Sequence, residues 1–325
     1  MREKQSIPTL LCFILGLLLA GNQAASAIEA VASVKAIKGP VDIKRDDRTI
    51  AARTGLILHD KDLVVTHTQS RITIMFRDGS LIRLFPNTKF LIEKSEEAPA
   101  GPRGFLHKFR LKLGSFWGKF TRNRQKTVIN SPTATVGIKG TTVALAARDE
   151  LLQVSLTTGT VQIENQTEAV ELEAGQFARN IPKNGSFSQN IETLRYQLII
   201  RPDKGDIQVP EPGNTEELYF TLQLVDLKTN KNLERSGDVY ISIATDNIVF
   251  DENIYLNNRG YARVKATISA PEKIPDKVDT VEVFALMDGE EHLDIKAGST
   301  ILFLEYPEGI NKRLKIDASS GEVDP

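Results

Sequence analysis

The sequence predicts an all-β protein built from two successive β-rich units. Short runs of four to seven residues that alternate apolar and polar side chains recur from residue 30 onward, as half-buried strands do. Turn signals such as Lys38-Gly39-Pro40 and Asp78-Gly79 separate these runs. No stretch has convincing helical periodicity over three turns. These observations favour sheets throughout.

Residues 1–27 are predicted to be a secretory signal peptide. Arg2 and Lys4 precede a short apolar run, and Ala25-Ser26-Ala27 has the small-x-small pattern of a cleavage site. The apolar run is short for a membrane span, which needs about 20 residues. We expect export with cleavage after Ala27, no stable transmembrane span afterwards, and a periplasmic or cell-surface location in a bacterium. An uncleaved anchor is the alternative.

The chain contains one cysteine, Cys12, inside that apolar run. The predicted mature protein therefore has no disulfide, thiol nucleophile or thiolate metal site. Ile28 stands where a lipoprotein would have its modified cysteine, so no lipid anchor of that kind is expected.

Residues 28–179 form the first predicted unit. Three segments in it share the pattern Leu-x-x-Gly-x-apolar, and we expect their glycines, Gly114, Gly159 and Gly175, to lie at turns. The spacing is irregular, which argues against a regular solenoid. The pattern predicts similar turns stacked in one coiled β-structure, a β-roll or a short β-helix.

Residues 180–196 are rich in Asn, Ser, Gly and Pro and are predicted to be a linker, with a short helical piece over residues 191–197. Seven strand-like runs follow in residues 197–310, and one of them is IVFDENIYL, residues 248–256. Seven strands spaced in this way predict a β-sandwich of immunoglobulin type. Residues 311–325 are polar and are expected to be a flexible tail.

Charge is divided unevenly between the units. Residues 28–193 carry 24 Lys and Arg against 17 Asp and Glu, whereas residues 194–325 carry 15 against 24. Two units of opposite charge can dock on each other or face different partners.

The segment from Ile129 to Leu145 combines threonines with glycine and proline breaks. It lacks the GxxxxGK[ST] spacing of a phosphate loop, and it lacks the serine and following helix of a nucleophile elbow. Its Thr and Val residues favour extended backbone, and its glycines permit a bulge or a close backbone approach. We interpret it as a structural β-segment.

The string from Ser131 to Thr141 resembles the central signature of the FecR domain family, and further motifs from Val34 to Arg179 agree in the family's order. The signature positions, to which we assign a structural role, are Asp78, Gly79, Asn87, Ser131, Pro132, Thr133, Gly137, Gly140 and Thr141. The resemblance implies an extracytoplasmic β-rich domain. Its namesakes are single-span regulators that sense an outer-membrane transporter and control a cytoplasmic sigma factor.

The sequence departs from those regulators because MREK alone precedes the apolar run, so control of a sigma factor is not expected to carry over. The second unit resembles, more weakly, the bacterial immunoglobulin-like domains of surface adhesins. Leu224-x-Asp226 and Asn258-x-Gly260 carry that resemblance.

No catalytic, metal or cofactor motif is recognised. The four histidines, expected at the surface, lack the spacing of a zinc site, and a glycosidase carboxylate pair cannot be recognised without geometry. Acidic and amide residues between Asp246 and Asn253 lack the glycine-turned loop of a calcium site. We therefore expect no enzyme activity, no cofactor and no bound metal.

The strongest functional signal is a basic stripe. Residues 98–148 contain no Asp or Glu. In KFRLKLG, residues 108–114, alternation places Lys108, Arg110 and Lys112 on one face of a strand and the apolar residues up to Leu113 on the other. The predicted binding residues are Lys108, Arg110, Lys112, Trp117, Lys119, Arg122, Arg124 and Lys126.

Such a stripe attracts an anionic polymer or an acidic protein. For an exported protein the expected partners are a wall polymer, a glycan or a membrane protein, and not nucleic acid. A solvated strand face and docking onto the acidic second unit remain alternatives. We predict a non-catalytic binding or scaffold protein of the envelope. The alternatives are an accessory sensor or regulator of transmembrane signalling that acts through a membrane partner, and an enzyme on envelope polysaccharide, which would need a cleft with two close carboxylates.

Overall fold

A computed structural model describes residues 30–97, 104–121, 126–243, 245–251, 253–271 and 279–306. The predicted signal peptide and the predicted tail lie outside the described residues. Within them, every regular element is a β-strand apart from two short 3-10 turns, Ser188–Asn190 and Glu290–His292. The predicted all-β class is confirmed.

The first unit is one continuous 15-stranded sheet. Its strands are β1 (Ala30–Lys38), β2 (Val41–Arg45), β3 (Arg48–Ala51), β4 (Ile57–His59), β5 (Leu63–Thr66), β6 (Arg71–Phe76), β7 (Leu81–Leu84), β8 (Lys89–Glu97), β9 (Phe105–Lys119), β10 (Lys126–Asn130), β11 (Thr135–Arg148), β12 (Leu151–Glu164), β13 (Ala169–Glu173), β14 (Gln176–Pro182) and β15 (Ile191–Thr193).

Three long strands coil this sheet because they change partners along their length. The first half of β9 pairs with β8 and β10, and its second half pairs with β7 and β11. Likewise, β11 passes from β10 to β9, and β12 passes from β14 to β13. The sheet therefore curls around a single apolar core, in which the Phe109 ring lies 5.0 Å from Phe76 and 5.2 Å from Phe90.

Two of the glycines expected at turns lie instead within strands, where partners change. Gly114 in β9 has φ +89° and Gly159 in β12 has φ +82°, whereas Gly175 does lie in the turn between β13 and β14. A Cβ on Gly114 would stand 2.5 Å from the Cα of Thr88 and 2.7 Å from the carbonyl oxygen of Asn87. Glycine is required there because the backbones approach too closely for a side chain.

The second unit contains strands β16 (Tyr196–Pro202), β17 (Asp206–Gln208), β18 (Thr215–Asp226), β19 (Lys231–Asn232), β20 (Gly237–Ile243), β21 (Ile248–Phe250), β22 (Ile254–Leu256), β23 (Tyr261–Ser269), β24 (Asp279–Met287), β25 (Ile295–Lys296) and β26 (Gly298–Glu305). One sheet has the order β21-β23-β18-β16-β25, with β19 on β18, and the other has the order β17-β26-β24-β20-β22. Their inner faces enclose a separate apolar core. The predicted sandwich is confirmed.

Two local predictions were wrong. The run IVFDENIYL is not one strand, because a turn with Asn253 at φ +60° separates β21, which pairs in the six-stranded sheet, from β22, which pairs in the five-stranded sheet. Residues 191–197 form β15 and the start of β16, not a helix, because both segments find strand partners. The predicted linker, residues 180–196, begins inside β14.

Candidate binding surface

Strand β9 positions the centre of the basic stripe. It lies between β8, which runs antiparallel to it, and β10, which runs parallel. Lys108, Arg110 and Lys112 are exposed, while Phe109 and Leu111 are fully buried. The predicted alternation of the two faces is present over these five residues.

The alternation ends at Leu113, which we expected to be buried and which is 42% exposed. The register with β8 shifts here, because Leu113 pairs with Lys89 while Leu111 pairs with the next residue, Phe90. A β-bulge therefore reverses the direction of the side chains just before Gly114.

Other strands enlarge the stripe into a surface. Lys94 of β8 is the register partner of Lys108, and Lys61 comes from the turn before β5. We call Lys61, Lys94, Lys108, Arg110 and Lys112 the basic face. Lys61 and Lys94 were not predicted, because their position on this face depends on contacts between distant parts of the chain.

The basic face lines two shallow, open depressions that meet at Arg110. One, of about 410 Å³, is bordered by Lys61, Lys94 and Lys108. The other, of about 470 Å³, is bordered by Lys112 and by the signature segment from Asn130 to Pro132.

A single acid lies at the centre of this face. Glu93 is only 12% exposed, and its carboxylate lies 3.4 Å from Lys108 Nζ and 2.5 Å from Arg110. Glu93 therefore orients two cations whose own side chains are about half exposed. Lys94 pairs with Glu96 at 2.7 Å, and Lys112 has no ion pair among the described residues.

The remaining predicted binding residues do not belong to the basic face. Lys126 is exposed at the start of β10, beside Leu106. Arg122 and Arg124 lie outside the described residues. Trp117 and Lys119 lie on the second half of β9, where the second unit covers them.

Trp117 is 4% exposed, and its ring lies 6.3 Å from that of Phe284 in β24. Lys119 donates a hydrogen bond to Glu282 at 3.0 Å and places its ammonium 3.8 Å from the centre of the Phe284 ring. These two residues therefore connect the units. Trp117 is covered, whereas Lys119 is 25% exposed and is paired with Glu282.

A buried carboxylate joins the two units. Asp288 of the second unit accepts two hydrogen bonds from Arg83, at 3.0 and 2.8 Å, and forms an ion pair with Arg71 at 2.8 Å. The Arg83 guanidinium also lies 3.8 Å from the ring centre of Tyr240. We call Arg71, Arg83 and Asp288 the carboxylate clamp.

Further contacts extend the docked surface. Glu290 accepts a hydrogen bond from the Ser115 hydroxyl at 2.9 Å and forms an ion pair with Arg148 at 2.5 Å. Phe177 and Leu293 pack in a small apolar cluster that also spans the units. The cations come from the basic unit and the anions from the acidic unit, as the charge division allowed.

The signature residues Asp78 and Gly79 form, with Ser80, the tight turn between β6 and β7. The Asp78 carboxylate accepts hydrogen bonds from the Ser80 N–H at 2.9 Å and from the Ser80 hydroxyl at 2.7 Å. Burial alone would raise the pKa of Asp78, but the hydrogen bond to His107, the attraction of that ring and the Ser80 bonds together lower it below its ordinary value.

His107 corrects the expectation of surface histidines. It is fully buried, and its ring contacts the Ser95 hydroxyl at 2.9 Å through Nδ1 and Asp78 at 3.0 Å through Nε2. His292 is also buried. A Ser–His–Asp chain is thus present, but burial of all three side chains makes it a structural network.

The other signature residues shape the β10–β11 hairpin and nearby turns. The Ser131 hydroxyl accepts the Ala134 N–H at 3.0 Å and donates to the Ala134 carbonyl at 2.8 Å, closing the turn. The remaining positions lie at turns or in β11, namely Asn87 with φ +56°, Pro132, Thr133, Gly137, Gly140 and Thr141. Their placement agrees with a structural role.

Across the described residues, no group of three or more His, Cys, Asp or Glu side chains is placed to hold a metal ion. In the same part of the chain, no helix is long and apolar enough to cross a membrane.

Residues 62–162 match the model of the FecR protein family. This part of the chain, less than a third of the sequence, is therefore similar to a FecR domain. It extends from β5 through most of β12 and contains every residue of the basic face except Lys61. No curated protein matches the chain.

Solved structures show low similarity. Two crystal structures of a candidate anti-sigma factor from Parabacteroides distasonis have TM-scores of 0.31 and 0.33 at 18% and 17% identity, with 40% of this chain covered in each. The match spans 57% of the length of those chains. PapD-like domain 7 of human CEP192 has a TM-score of 0.23 at 17% identity. That match covers 34% of this chain and 82% of the CEP192 chain. At these scores the likeness carries no functional argument.

Proposed function

We propose that the protein is an exported, non-catalytic binding or scaffold protein of the bacterial envelope, and that the basic face of its FecR domain binds an anionic envelope polymer. The observation that carries this proposal is the convergence of five cations from three parts of the chain around one partly buried acid. The second unit would act as a spacer or as a second attachment point.

The shape of the surface favours a polymer over a small molecule. The two depressions are shallow and continuous at Arg110, so a chain could cross both. Alternate residues along a strand stand about 6.7 Å apart, which spaces the charges of β9 regularly. Regular cations on an open face suit repeated carboxylate or phosphate groups.

Partial pairing with Glu93 does not oppose this role. The acid is nearly buried, whereas the Lys108 and Arg110 side chains are 53% and 50% exposed. Their outward N–H groups can therefore reach a ligand while Glu93 holds the stems in place. Pre-ordered side chains lose less entropy when a ligand binds.

Co-sedimentation with isolated cell-wall sacculi tests the proposal. The purified chain from Ile28 to Pro325 should pellet with sacculi at low salt, and pelleting should fade as salt rises, because exposed charge interactions are screened. Changing Lys108, Arg110 and Lys112 together to Ser should remove most of the pelleting at low salt.

A matched control carries the same charge loss elsewhere. Lys183, Arg201 and Lys228 are exposed and have no ion pair among the described residues, so their change to Ser should leave pelleting unchanged. If both triple variants pellet equally, net charge and not the basic face attracts the wall. If the unchanged chain fails to pellet at low salt, the polymer proposal is wrong.

A second function is favoured by the FecR match itself: an accessory sensor or regulator of transmembrane signalling that acts through a membrane partner. A photo-crosslinking amino acid at Lys112, in cells, should then capture one membrane protein specifically. Capture that persists unchanged when the crosslinker is moved to Lys183 would contradict this role.

A further inference from the structure

A cleft of about 650 Å³ lies between the two units. One wall is the edge of β1 from Lys35 to Lys38, and the other is formed by β20, β21 and β22 of the sandwich. The apolar lining includes Ile241, Ile243 and Phe250, which remain partly exposed. Its volume lies within the range of about 300–1,000 Å³ typical of ligand sites, which often form between domains.

An open sheet edge borders this cleft. Strand β20 pairs with β24 along Val239–Ile243, but β22 covers its other side only from Gly237 to Val239. Residues Tyr240 to Ile243 therefore have no strand partner on the cleft side within the described part of the chain. Proteins usually cover or blunt such edges, because unpaired backbone groups attract another strand.

Two hydrogen bonds establish which backbone groups face the cleft. The Asp238 carbonyl accepts the Asp288 N–H at 2.8 Å, so even-numbered residues of β20 face β24. The Ile243 carbonyl accepts Lys35 Nζ across the cleft at 3.4 Å, so odd-numbered residues face the opening. Because the direction alternates along a strand, the N–H and C=O groups of Ile241 and Ile243 lie on the open edge. Lys35 already contacts the Ile243 carbonyl, so the Ile241 N–H and C=O and the Ile243 N–H are the groups that a further strand would bind.

We propose that this edge receives an extended peptide segment of a partner protein as an added β-strand. Backbone hydrogen bonds to Ile241 and Ile243 would supply the affinity, as in other cases of strand addition. The cleft continues the contact between the units, since Tyr240 lies both in its wall and beneath Arg83 of the carboxylate clamp. A peptide would therefore contact both units.

The lining specifies the chemistry of that segment. Isoleucine and phenylalanine side chains favour small or β-branched apolar residues at alternate positions. Lys35 and Lys38 line the facing wall and favour an acidic residue at one end of the segment. Asp246 and Asp251 also line the cleft, but Asp246 is fully exposed and lies 4.0 Å from Lys35, so it competes only weakly for that cation. This site shares no residue with the basic face, so the proposal of strand addition does not depend on polymer binding.

Residue-resolved amide exchange by NMR tests the open edge without any ligand. In the full mature chain, the amides of Ile241 and Ile243 should exchange much faster than those of Tyr240 and Ser242, which face β24. Equal protection of all four amides would show that the edge is already covered and would overturn the proposal.

A peptide probe then tests strand addition. The probe is the acetylated, amidated pentapeptide Glu-Val-Thr-Val-Thr at about 1 mM, a concentration that detects even weak binding. It should slow exchange at Ile241 and Ile243. Two analogues of the probe carry N-methyl groups, one on both valines and the other on both threonines. Each analogue loses the backbone N–H donors of one edge of the peptide strand, so one analogue should lose binding and the other should keep it.

Changing Lys35 to Glu should weaken the probe roughly tenfold, because a charge-assisted contact becomes a repulsion. The matched change of Lys44, an exposed cation on β2, should have no effect. Unchanged exchange at Ile241 and Ile243 with the probe present, or equal binding of both analogues, would overturn the proposal.

Discussion

Replacing Asp288 by Ala should destabilise both units and weaken the coupling between them, because it removes the centre of the carboxylate clamp. The Asp288 and Arg83 side chains are each 8% exposed, and Arg71 is 13% exposed. The change leaves two guanidinium groups at least partly buried without their counter-charge. Breaking a buried ion pair in this way costs about 3–5 kcal/mol.

Urea unfolding followed by circular dichroism measures this cost. The free energy of unfolding of the second unit, and of the first unit that contacts it, should fall by about 3 kcal/mol or more. Asp288→Asn keeps the size of the side chain and one oxygen acceptor, and should lose less. The change can also appear as one transition splitting into two, since domains that no longer support each other unfold separately.

The matched control is Asp203→Ala. Asp203 pairs with Arg263 at 2.7 Å, but both side chains are about half exposed, so its loss should cost no more than about 1 kcal/mol. An Asp288→Ala midpoint that shifts no further than the control would refute the argument that the clamp holds the units together.

Two more predictions concern local structure. Gly114→Ala should destabilise the first unit by about 2–4 kcal/mol in urea unfolding, because the new Cβ meets the Thr88 backbone at positive φ. Gly175→Ala, at a similar φ with open space around it, should cost clearly less, and equal costs would contradict the close-approach argument. Asp226 should titrate by NMR with a pKa of about 2, because the hydrogen bond from Arg195 lowers it. A pKa depressed by folding means that Asp226 stabilises the fold above its ordinary pKa of about 4 and loses this contribution as the pH falls towards 2. Arg195→Gln should raise the pKa towards its ordinary value, and an unchanged titration would contradict this cause.

The alternation of apolar and polar residues predicted the features that a single strand determines, namely which side chains face the core and which face the solvent. Lys108 and Arg110 point outward and Phe109 inward because the side chains of a strand alternate. The alternation does not reveal a bulge, which depends on the register with a neighbouring strand, so Leu113 was misplaced. Nor does it reveal that two runs of one strand-like segment belong to different sheets, as in β21 and β22.

The candidate site was predictable only in part for the same reason. The run of cations identified a basic strand, but it did not show which part of that strand the second unit would cover. Trp117 and Lys119 were predicted to belong to the stripe, but they contact the second unit. Lys61 and Lys94 join the basic face through pairing between distant segments. His107 lies on the buried face of β9 with Phe109, as the alternation itself indicates, but its ring partners Asp78 and Ser95 come from distant segments.

The salt dependence of the binding constant shows whether the basic face binds an anionic polymer. Affinity for solubilised wall polymer should fall linearly on a plot of log K against log salt concentration, as counterions are released. The triple change of Lys108, Arg110 and Lys112 to Ser should reduce that slope by about 3, roughly one for each cation lost. A slope that is unchanged by this variant would contradict binding through the basic face.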